Sequence, residues 1–204
     1  MIIIGITGSI GMGKTTIAHM LKRFNIPVFD SDKEVKDILE NNNLVKEQVY
    51  KLWPDVILIQ ANEKQIDKNL LSRKIFADKD NRKILENIVH PLVHKRRNCF
   101  INNANNSFII ALDVPLLYET GTDKVCDDIL LAYTSEKNQK VRVLSRPNMT
   151  LKKFNLIKNA QWSTRMKREK NPYLISTSYG KLISFIMISI YLVIIIFKKK
   201  VLKL

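Results

Sequence analysis

MIIIGITGSIGMGKTTIAHMLKRF, residues 1–24, is the stretch that decides the fold of this chain. The run from Ile2 to Thr7 is short, apolar and rich in β-branched residues, which is typical of a buried strand. Residues 8–15, GSIGMGKT, match the pattern G-x-x-x-x-G-K-[ST] at every fixed position. From residue 14 to residue 24, apolar residues recur at helical spacing. A strand, a glycine-rich loop and a helix in this order predict a binding site for nucleotide phosphates.

The residue types of this loop each have a physical reason. Glycines allow backbone angles that let successive N–H groups curl around phosphate oxygens, and the start of the helix adds unpaired N–H groups. Lys14 brings a positive charge to the β- and γ-phosphates, and Thr15 offers a hydroxyl to Mg²⁺. The ATP-binding residues predicted here are Gly8, Gly11, Met12, Gly13, Lys14, Thr15 and Thr16.

Short apolar strands alternate with helical patterns along the rest of the chain. Strands are predicted at 28–30, 107–112, 128–133 and 173–176, and helices at 33–52 (broken by three asparagines at 41–43), 70–76, 81–91, 136–145 and 151–160. Pro91 is expected to stop its helix, and Ser135 and Thr150 are expected to cap theirs. This order predicts an α/β fold with a mainly parallel sheet.

Composition sets the class of the protein. The chain has 204 residues, of which 46% are hydrophobic and 26% charged, so it is expected to be globular and not disordered. Its two cysteines, Cys99 and Cys126, form neither a disulfide framework nor a cluster with metal-binding spacing. The N-terminus has no basic segment followed by a cleavage site, so no signal peptide is expected. These features predict a protein of the cytoplasm.

The net charge of +15 is concentrated in one part of the chain. Residues 137–170 contain 11 basic side chains and a single acid, Glu169. Such a segment suits a polyanionic ligand, although a solvated basic helix face would give the same pattern. Nucleic acid is not expected as a partner, because proteins that bind it often have aromatic residues interleaved with the basic ones. In residues 137–170 the only aromatic residues are Phe154 and Trp162.

An acidic pair follows the second predicted strand. VFDSDK, residues 28–33, places Asp30 and Asp32 at the carboxyl end of that strand, where ligands gather in open α/β sheets. A kinase needs an acid near the γ-phosphate to hold metal and to receive the proton of the acceptor hydroxyl. From spacing alone, one of the two aspartates could equally be a helix N-cap.

The sequence resembles the dephospho-coenzyme A kinase family over roughly residues 1–170. The resemblance is carried by IGITGSIGMGKTTIA, VFDSDK, IDKNLLSRKIFADKDNRKILENIVHPLV, ALDVPLLYETG, NQKVRVLSR and AQ at 160–161. It implies a three-layer P-loop kinase fold in residues 1–180, with a helical substrate-binding insertion at about 33–105 and a small lid at about 140–165. It also implies ATP-dependent phosphorylation of the ribose 3′-hydroxyl of dephospho-coenzyme A, with Mg²⁺.

Residue roles follow from the resemblance, position by position. The catalytic residues are then Lys14, Asp32 and Arg142, and Arg142 and Arg146 bind ATP from the lid. The residues that bind the acceptor are Asp32, His90, Leu116, Leu117 and Glu119, and Thr15 and Asp32 hold the metal. Asp30 is then the structural member of its pair, and Asp113 keeps no assigned role. His90 by itself, directly before a proline, would be a helix-end residue.

The end of the chain departs from the family pattern. Residues 171–172 are Asn-Pro where the family has Ala-Asp, and no family pattern remains after about residue 180. Residues 181–204 form a basic, hydrophobic tail with sixteen uncharged residues between Lys181 and Lys198. An altered reading frame, a short membrane anchor and a packed helix are the alternatives. A poorly packed tail is the favoured expectation, and membrane contact is not favoured.

Two other functions remain open from the residues. One is a different small-molecule P-loop kinase, such as a nucleoside kinase, which would have no use for HPLV and PLLYE. The other is a P-loop NTPase associated with a membrane or with nucleic acid through the basic segment and the tail. The leading prediction names ATP and dephospho-coenzyme A as partners of a monomer or weak oligomer.

Overall fold

The computed structural model describes residues 1–60 and 63–202. The predicted insertion at about 33–105 and the tail at 181–204 therefore each include two residues outside the described ones. Contacts divide the chain into two units, one made of Met1–Phe29 with Ala104–Leu204 and the other of Asp30–Asn103.

The larger unit is built on a five-stranded sheet. Its strands are β1 (Ile2–Thr7), β2 (Val28–Asp30), β5 (Ile109–Asp113), β6 (Asp128–Tyr133) and β7 (Tyr173–Ser176). Their order in the sheet is β2-β5-β1-β6-β7, and β1 pairs in parallel with both β5 and β6, as β6 does with β7. The predicted α/β fold with a mainly parallel sheet is confirmed.

Helices of the larger unit follow its strands. They are α1 (Lys14–Arg23), α6 (Glu136–Leu144), α7 (Leu151–Asn159), α8 (Thr164–Arg168) and α9 (Lys181–Leu202). The side chains of Ser135 and Thr150 accept hydrogen bonds from the backbone N–H groups of Asn138 and Lys153, which confirms both predicted N-caps. The short helix α8 was not predicted, because five residues show no helical period.

The described residues of the smaller unit form four α-helices, a short 3₁₀ helix at Pro54–Val56 and a hairpin. The helices are α2 (Ser31–Asn41), α3 (Asn43–Leu52), α4 (Lys68–Ala77) and α5 (Lys79–Asn103), and the hairpin pairs β3 (Ile57–Gln60) with β4 (Glu63–Ile66) in antiparallel. Asn42 separates α2 from α3 and caps α3 by accepting a hydrogen bond from the N–H of Val45. The predicted break at the three asparagines is therefore confirmed, whereas the hairpin was not predicted.

The prediction that Pro91 stops its helix is wrong. Helix α5 continues through Pro91 to Asn103. Leu85, Val89 and Val93 are buried at spacings of four residues on both sides of the proline, so one apolar face is maintained across it. A proline inside a helix removes one backbone hydrogen bond, and its ring clashes with the carbonyl four residues earlier, which together cost about 3 kcal/mol. The free energy gained by burying this apolar face against α2, α3 and α4 offsets that cost.

Helix α9 is part of the main core. Its buried residues Ile188, Tyr191, Leu192 and Ile195 join a cluster with β1, β5, β6, β7 and α1. Phe185 stacks on Phe24, the residue that follows α1, with ring centroids 5.0 Å apart. This packing corrects the expectation of a poorly packed tail for residues 181–202. Because α9 is apolar on all faces, its sequence does not show that one of these faces packs against a sheet.

Substitutions two residues apart in α9 test this packing. Ile188 is fully buried, whereas Ile190 is 52% exposed. We expect Ile188→Ala to lower the free energy of unfolding by about 2–5 kcal/mol, because it removes core contacts and leaves a cavity. Ile190→Ala is the matched control and should change it by less than about 0.5 kcal/mol. Urea unfolding measures both, and equal effects would mean that α9 does not belong to the core.

Candidate active site

The glycine-rich loop lies between β1 and α1 and curls over the start of the helix. Gly13, the N-cap of α1, has a φ of 98°, and Gly11 has a φ of 76°. A Cβ at Gly13 would lie 2.7 Å from Cγ2 of Thr177, and one at Gly11 would lie 2.5 Å from Cγ2 of Val143. Both positions therefore require glycine for its backbone angle and for space.

A cavity of about 340 Å³ opens beside this loop within the larger unit. Its wall contains Gly11, Gly13, Lys14, Thr15 and Thr16 of the predicted site, together with Arg142 and Arg146 of the predicted lid. The cationic side chains in the wall are Lys14, Arg142, Arg146 and Lys181, and no acidic side chain among the described residues contributes to it. Backbone N–H groups at a helix start, surrounded by positive charge, suit a polyphosphate.

Five residues in this wall, Ser9 and Gly180 among them, are not among the site residues predicted from the sequence. Thr177 follows β7, and Lys181 and Ser184 lie in the first turn of α9. The signal that could have found Thr177 is its place at the carboxyl end of a parallel strand, where ligands gather in such sheets. Lys181 and Ser184 lie in residues 181–204, for which the sequence predicts a tail that is not part of the family fold.

Arg142 is held in place by the end of β7. Its guanidinium donates to the hydroxyl oxygen of Thr177 at 2.8 Å and to the backbone oxygen of Thr177 at 2.6 Å. The Thr177 hydroxyl in turn donates to the backbone oxygen of Met12 at 2.9 Å. This chain of hydrogen bonds orients the guanidinium of Arg142, a residue of the predicted lid, relative to the glycine-rich loop.

Met12 and Gly8 pack closely against the end of β6 and the residue that follows it. The Met12 side chain is 4% exposed, and its sulfur accepts a hydrogen bond from the N–H of Thr134. A Cβ at Gly8 would lie 2.7 Å from the backbone oxygen of Ala132. Any contact of either residue with ATP is therefore left to its backbone and stays a prediction.

Lys167 and Glu119 form a buried ion pair close to the glycine-rich loop. Nζ of Lys167 lies 3.1 Å from Oε1 of Glu119, and their side chains are 0% and 13% exposed. The same ammonium group donates to the backbone oxygen of Pro115 at 2.9 Å. Burial lowers the pKa of Lys167, and the charge of Glu119 opposes this shift. Lys167 was not predicted, because one lysine in a basic segment gives no sequence signal of burial.

Glu119 also links this pair to the loop. It accepts a hydrogen bond from the N–H of Trp162 at 2.7 Å, and the neighbouring side chain of Gln161 accepts one from the N–H of Ile10 at 2.9 Å. The predicted acceptor residues Leu116 and Leu117 precede it in the same turn, with Leu117 fully buried. Their contact with an acceptor stays a prediction.

Breaking the buried pair should be costly. We expect Lys167→Met to lower the free energy of unfolding by about 3–5 kcal/mol, because it leaves the carboxylate of Glu119 buried without its counter-charge. Lys158→Met is the matched control, since Lys158 pairs at 3.1 Å with Glu136 and both side chains are exposed. That substitution should cost less than about 1 kcal/mol. Chemical unfolding of the two variants compares them, and similar losses would contradict the structural role of Lys167.

The predicted residues of the smaller unit are Asp32 and His90. Asp30 is the N-cap of α2 and accepts a hydrogen bond from the N–H of Lys33 at 3.0 Å, which confirms its structural role. Asp32 is exposed in the first turn of the same helix. His90 lies within α5 and stacks on His94 at 6.2 Å between ring centroids, so it is not the helix-end residue that its proline neighbour suggested.

Comparison with known proteins places the chain in a family. A family profile described as dephospho-CoA kinase matches residues 2–180. The chain belongs to the dephospho-CoA kinase family. It is 35% identical over 182 residues to the dephospho-CoA kinase of Rhodopseudomonas palustris strain HaA2, and the match covers 88% of each protein. It is 36% identical to the Rhizobium etli dephospho-CoA kinase, covering 88% of this chain and 87% of that protein.

Solved structures agree with the dephospho-CoA kinase assignment at the level of fold. The protein TT1252 from Thermus thermophilus superposes with a TM-score of 0.81 at 27% identity, covering 94% of this chain and 96% of that one. The dephospho-CoA kinase from Campylobacter jejuni superposes with a TM-score of 0.63 at 23% identity, covering 91% and 92%. The predicted P-loop kinase fold is therefore confirmed.

Proposed function

We propose that this chain transfers the γ-phosphoryl group of ATP to the ribose 3′-hydroxyl of dephospho-coenzyme A, giving coenzyme A and ADP. The observation that carries the proposal is the cationic cavity over the glycine-rich loop, in a chain whose family is dephospho-CoA kinase. The cavity supplies the donor site, and family membership supplies the acceptor.

The donor side of the reaction follows from the cavity. Backbone N–H groups at the start of α1 would bind the phosphates, with Lys14 adding charge where it grows in the transition state. Arg142 and Arg146 would neutralise the phosphates from the lid and exclude water from the γ-phosphate. The bond between the γ-phosphorus and the bridging oxygen breaks as the ribose oxygen attacks, and ADP leaves.

Magnesium is the metal that the family resemblance implies for this transfer. Mg²⁺ is usually held by one or two protein oxygens together with substrate phosphates and waters. Thr15 lines the cavity, and the family resemblance assigns its hydroxyl and the carboxylate of Asp32 to the metal. Bound there, the metal would neutralise negative charge on the transferring phosphoryl group.

The acceptor side rests on the family resemblance. Asp32 would take the proton of the 3′-hydroxyl as the new phosphorus–oxygen bond forms. His90, Leu116, Leu117 and Glu119 would border the acceptor. A monomer or weak oligomer in the cytoplasm completes the proposal.

A substrate screen tests the proposed function. Purified full-length protein is incubated with ATP, Mg²⁺ and either dephospho-coenzyme A or a panel of nucleosides, and the products are measured by mass spectrometry. We expect coenzyme A with dephospho-coenzyme A and no phosphorylated nucleoside. Phosphorylation of a nucleoside instead, or release of phosphate without an acceptor, would overturn the proposal.

The lid arginines give a test on the donor side. We expect Arg142→Ala to raise the KM for ATP by about tenfold to a hundredfold, because one desolvated charge contact with phosphate is lost, and to leave the affinity for dephospho-coenzyme A unchanged. Arg146→Ala should act in the same direction. Lys140→Ala is the control, since Lys140 is exposed on the same helix α6. Equal loss of affinity for both substrates in calorimetry would show that the segment is not a nucleotide lid.

A further inference from the structure

The side of α9 that faces away from the core is apolar and exposed. Its exposed residues recur every three or four positions and therefore form one stripe along the helix. These residues are Leu182, Ile186, Ile190, Val193, Phe197 and Val201, each between 48% and 73% exposed. At about 1.5 Å per residue, the stripe is roughly 30 Å long. Exposed apolar surface of this extent marks an interaction site.

The charged side chains of α9 itself have a single sign. Helix α9 contains Lys181, Lys198, Lys199 and Lys200, and its described residues 181–202 include no acid. Lys198 and Lys200 are exposed beside the end of the stripe, while Lys199 lies 3.8 Å from Asp127. A helix with an apolar face and lysines at its margin fits the boundary between headgroups and acyl chains of an anionic lipid layer.

The buried face of α9 determines whether the helix can cross a membrane or only lie on its surface. Residues Lys181–Val201 are long and apolar enough to span a bilayer, with a mean hydropathy of 2.2. However, Ile188, Tyr191, Leu192 and Ile195 belong to the core. Crossing the bilayer would remove them from it, so the helix must stay on the protein and present only its outer face. A second copy of this chain is the alternative occupant, but the exposed Lys198 and Lys200 at the end of the stripe favour an anionic surface.

We infer that the outer face of α9 is a docking surface for an anionic membrane, along which the folded protein lies without spanning it. Lys198 and Lys200 contact lipid headgroups, and the apolar stripe enters the layer between headgroups and acyl chains. This surface is independent of the proposed kinase reaction, since Val193 and Phe197 in its C-terminal half do not line the nucleotide cavity.

Vesicle sedimentation with the full-length protein tests this inference. Vesicles of equal parts phosphatidylglycerol and phosphatidylcholine are compared with vesicles of phosphatidylcholine alone. We expect binding to the anionic vesicles that is at least tenfold tighter than to the neutral ones and that weakens as salt is raised. The double variant Val193→Glu/Phe197→Glu should lose at least tenfold in affinity for the anionic vesicles.

Controls separate the docking surface from general stickiness and from self-association. Leu44→Glu places the same charge at a residue of α3 that is 77% exposed and should bind like the parent, and circular dichroism checks that every variant is folded. Failure of the parent protein to bind anionic vesicles, or equal binding by the double variant, would overturn the inference. A concentration-dependent dimer in analytical ultracentrifugation, abolished by the double variant and with no vesicle binding, would assign the stripe to a second copy instead.

Discussion

Lys14→Ala is expected to lower the turnover of coenzyme A formation by at least about 10²–10³-fold, the scale of losing one charged contact with a developing transition state. Lys14 opens helix α1 and lines the cavity beside the glycine-rich loop. Its ammonium group would contact the β- and γ-phosphates, where negative charge moves during transfer. Steady-state assay of the purified variant under saturating ATP measures the loss.

The fold should survive this substitution, because Lys14 is at the cavity wall and outside the apolar core. Thermal unfolding of the variant is therefore expected to match that of the parent. Lys22→Ala is the matched control, since Lys22 is exposed in the last turn of the same helix and should keep full turnover. Turnover of Lys14→Ala within tenfold of the parent would count against the assignment of the phosphate site.

Asp32→Asn is expected to lower turnover by about 10²–10⁴-fold while changing the affinity for ATP much less. The substitution keeps the size of the side chain but removes both the proton acceptor and a metal-attracting charge. Turnover and ATP affinity are measured separately, by product formation and by calorimetry. A large loss of ATP affinity with unchanged turnover would assign Asp32 to nucleotide binding.

Asp30→Asn provides the matched comparison within the same three residues. Asp30 is the N-cap of α2 and accepts a hydrogen bond from the N–H of Lys33, and asparagine caps a helix about as well as aspartate. We therefore expect this variant to stay folded and to keep most of its turnover. If it proved more damaging than Asp32→Asn, the roles of the two aspartates would be reversed.

The cavity joins segments that lie far apart in the sequence. The glycine-rich loop supplies its backbone groups, α6 supplies Arg142, and residues 177–184 supply the third side. Carboxyl ends of parallel strands meet at one edge of a sheet, which explains why the ends of β1, β6 and β7 contribute neighbouring segments. Part of the nucleotide site is therefore made by the beginning of α9, and the other end of that helix contributes to the proposed membrane surface.

The sequence by itself determined the features that depend on local pattern. The phosphate loop follows from glycines and a lysine at fixed spacing, and the strands follow from short apolar runs. The caps at Ser135 and Thr150 need only their own turn of helix. The motifs quoted above also sufficed to indicate the family, since they occur in order along the chain.

Only the tertiary structure decided the features in which distant packing outweighs local preference. Helix α5 passes through Pro91 because its apolar face is buried on both sides of the proline, a gain that offsets the lost hydrogen bond and the clash of the proline ring. Lys167 is buried because Glu119, 48 positions earlier in the sequence, supplies the opposite charge. Helix α9 is apolar all round, so its sequence could not say which face meets the sheet and which is exposed. One face of the helix packs against β1 and α1, because burying it there removes apolar surface from water. The opposite face of the helix is left exposed to solvent.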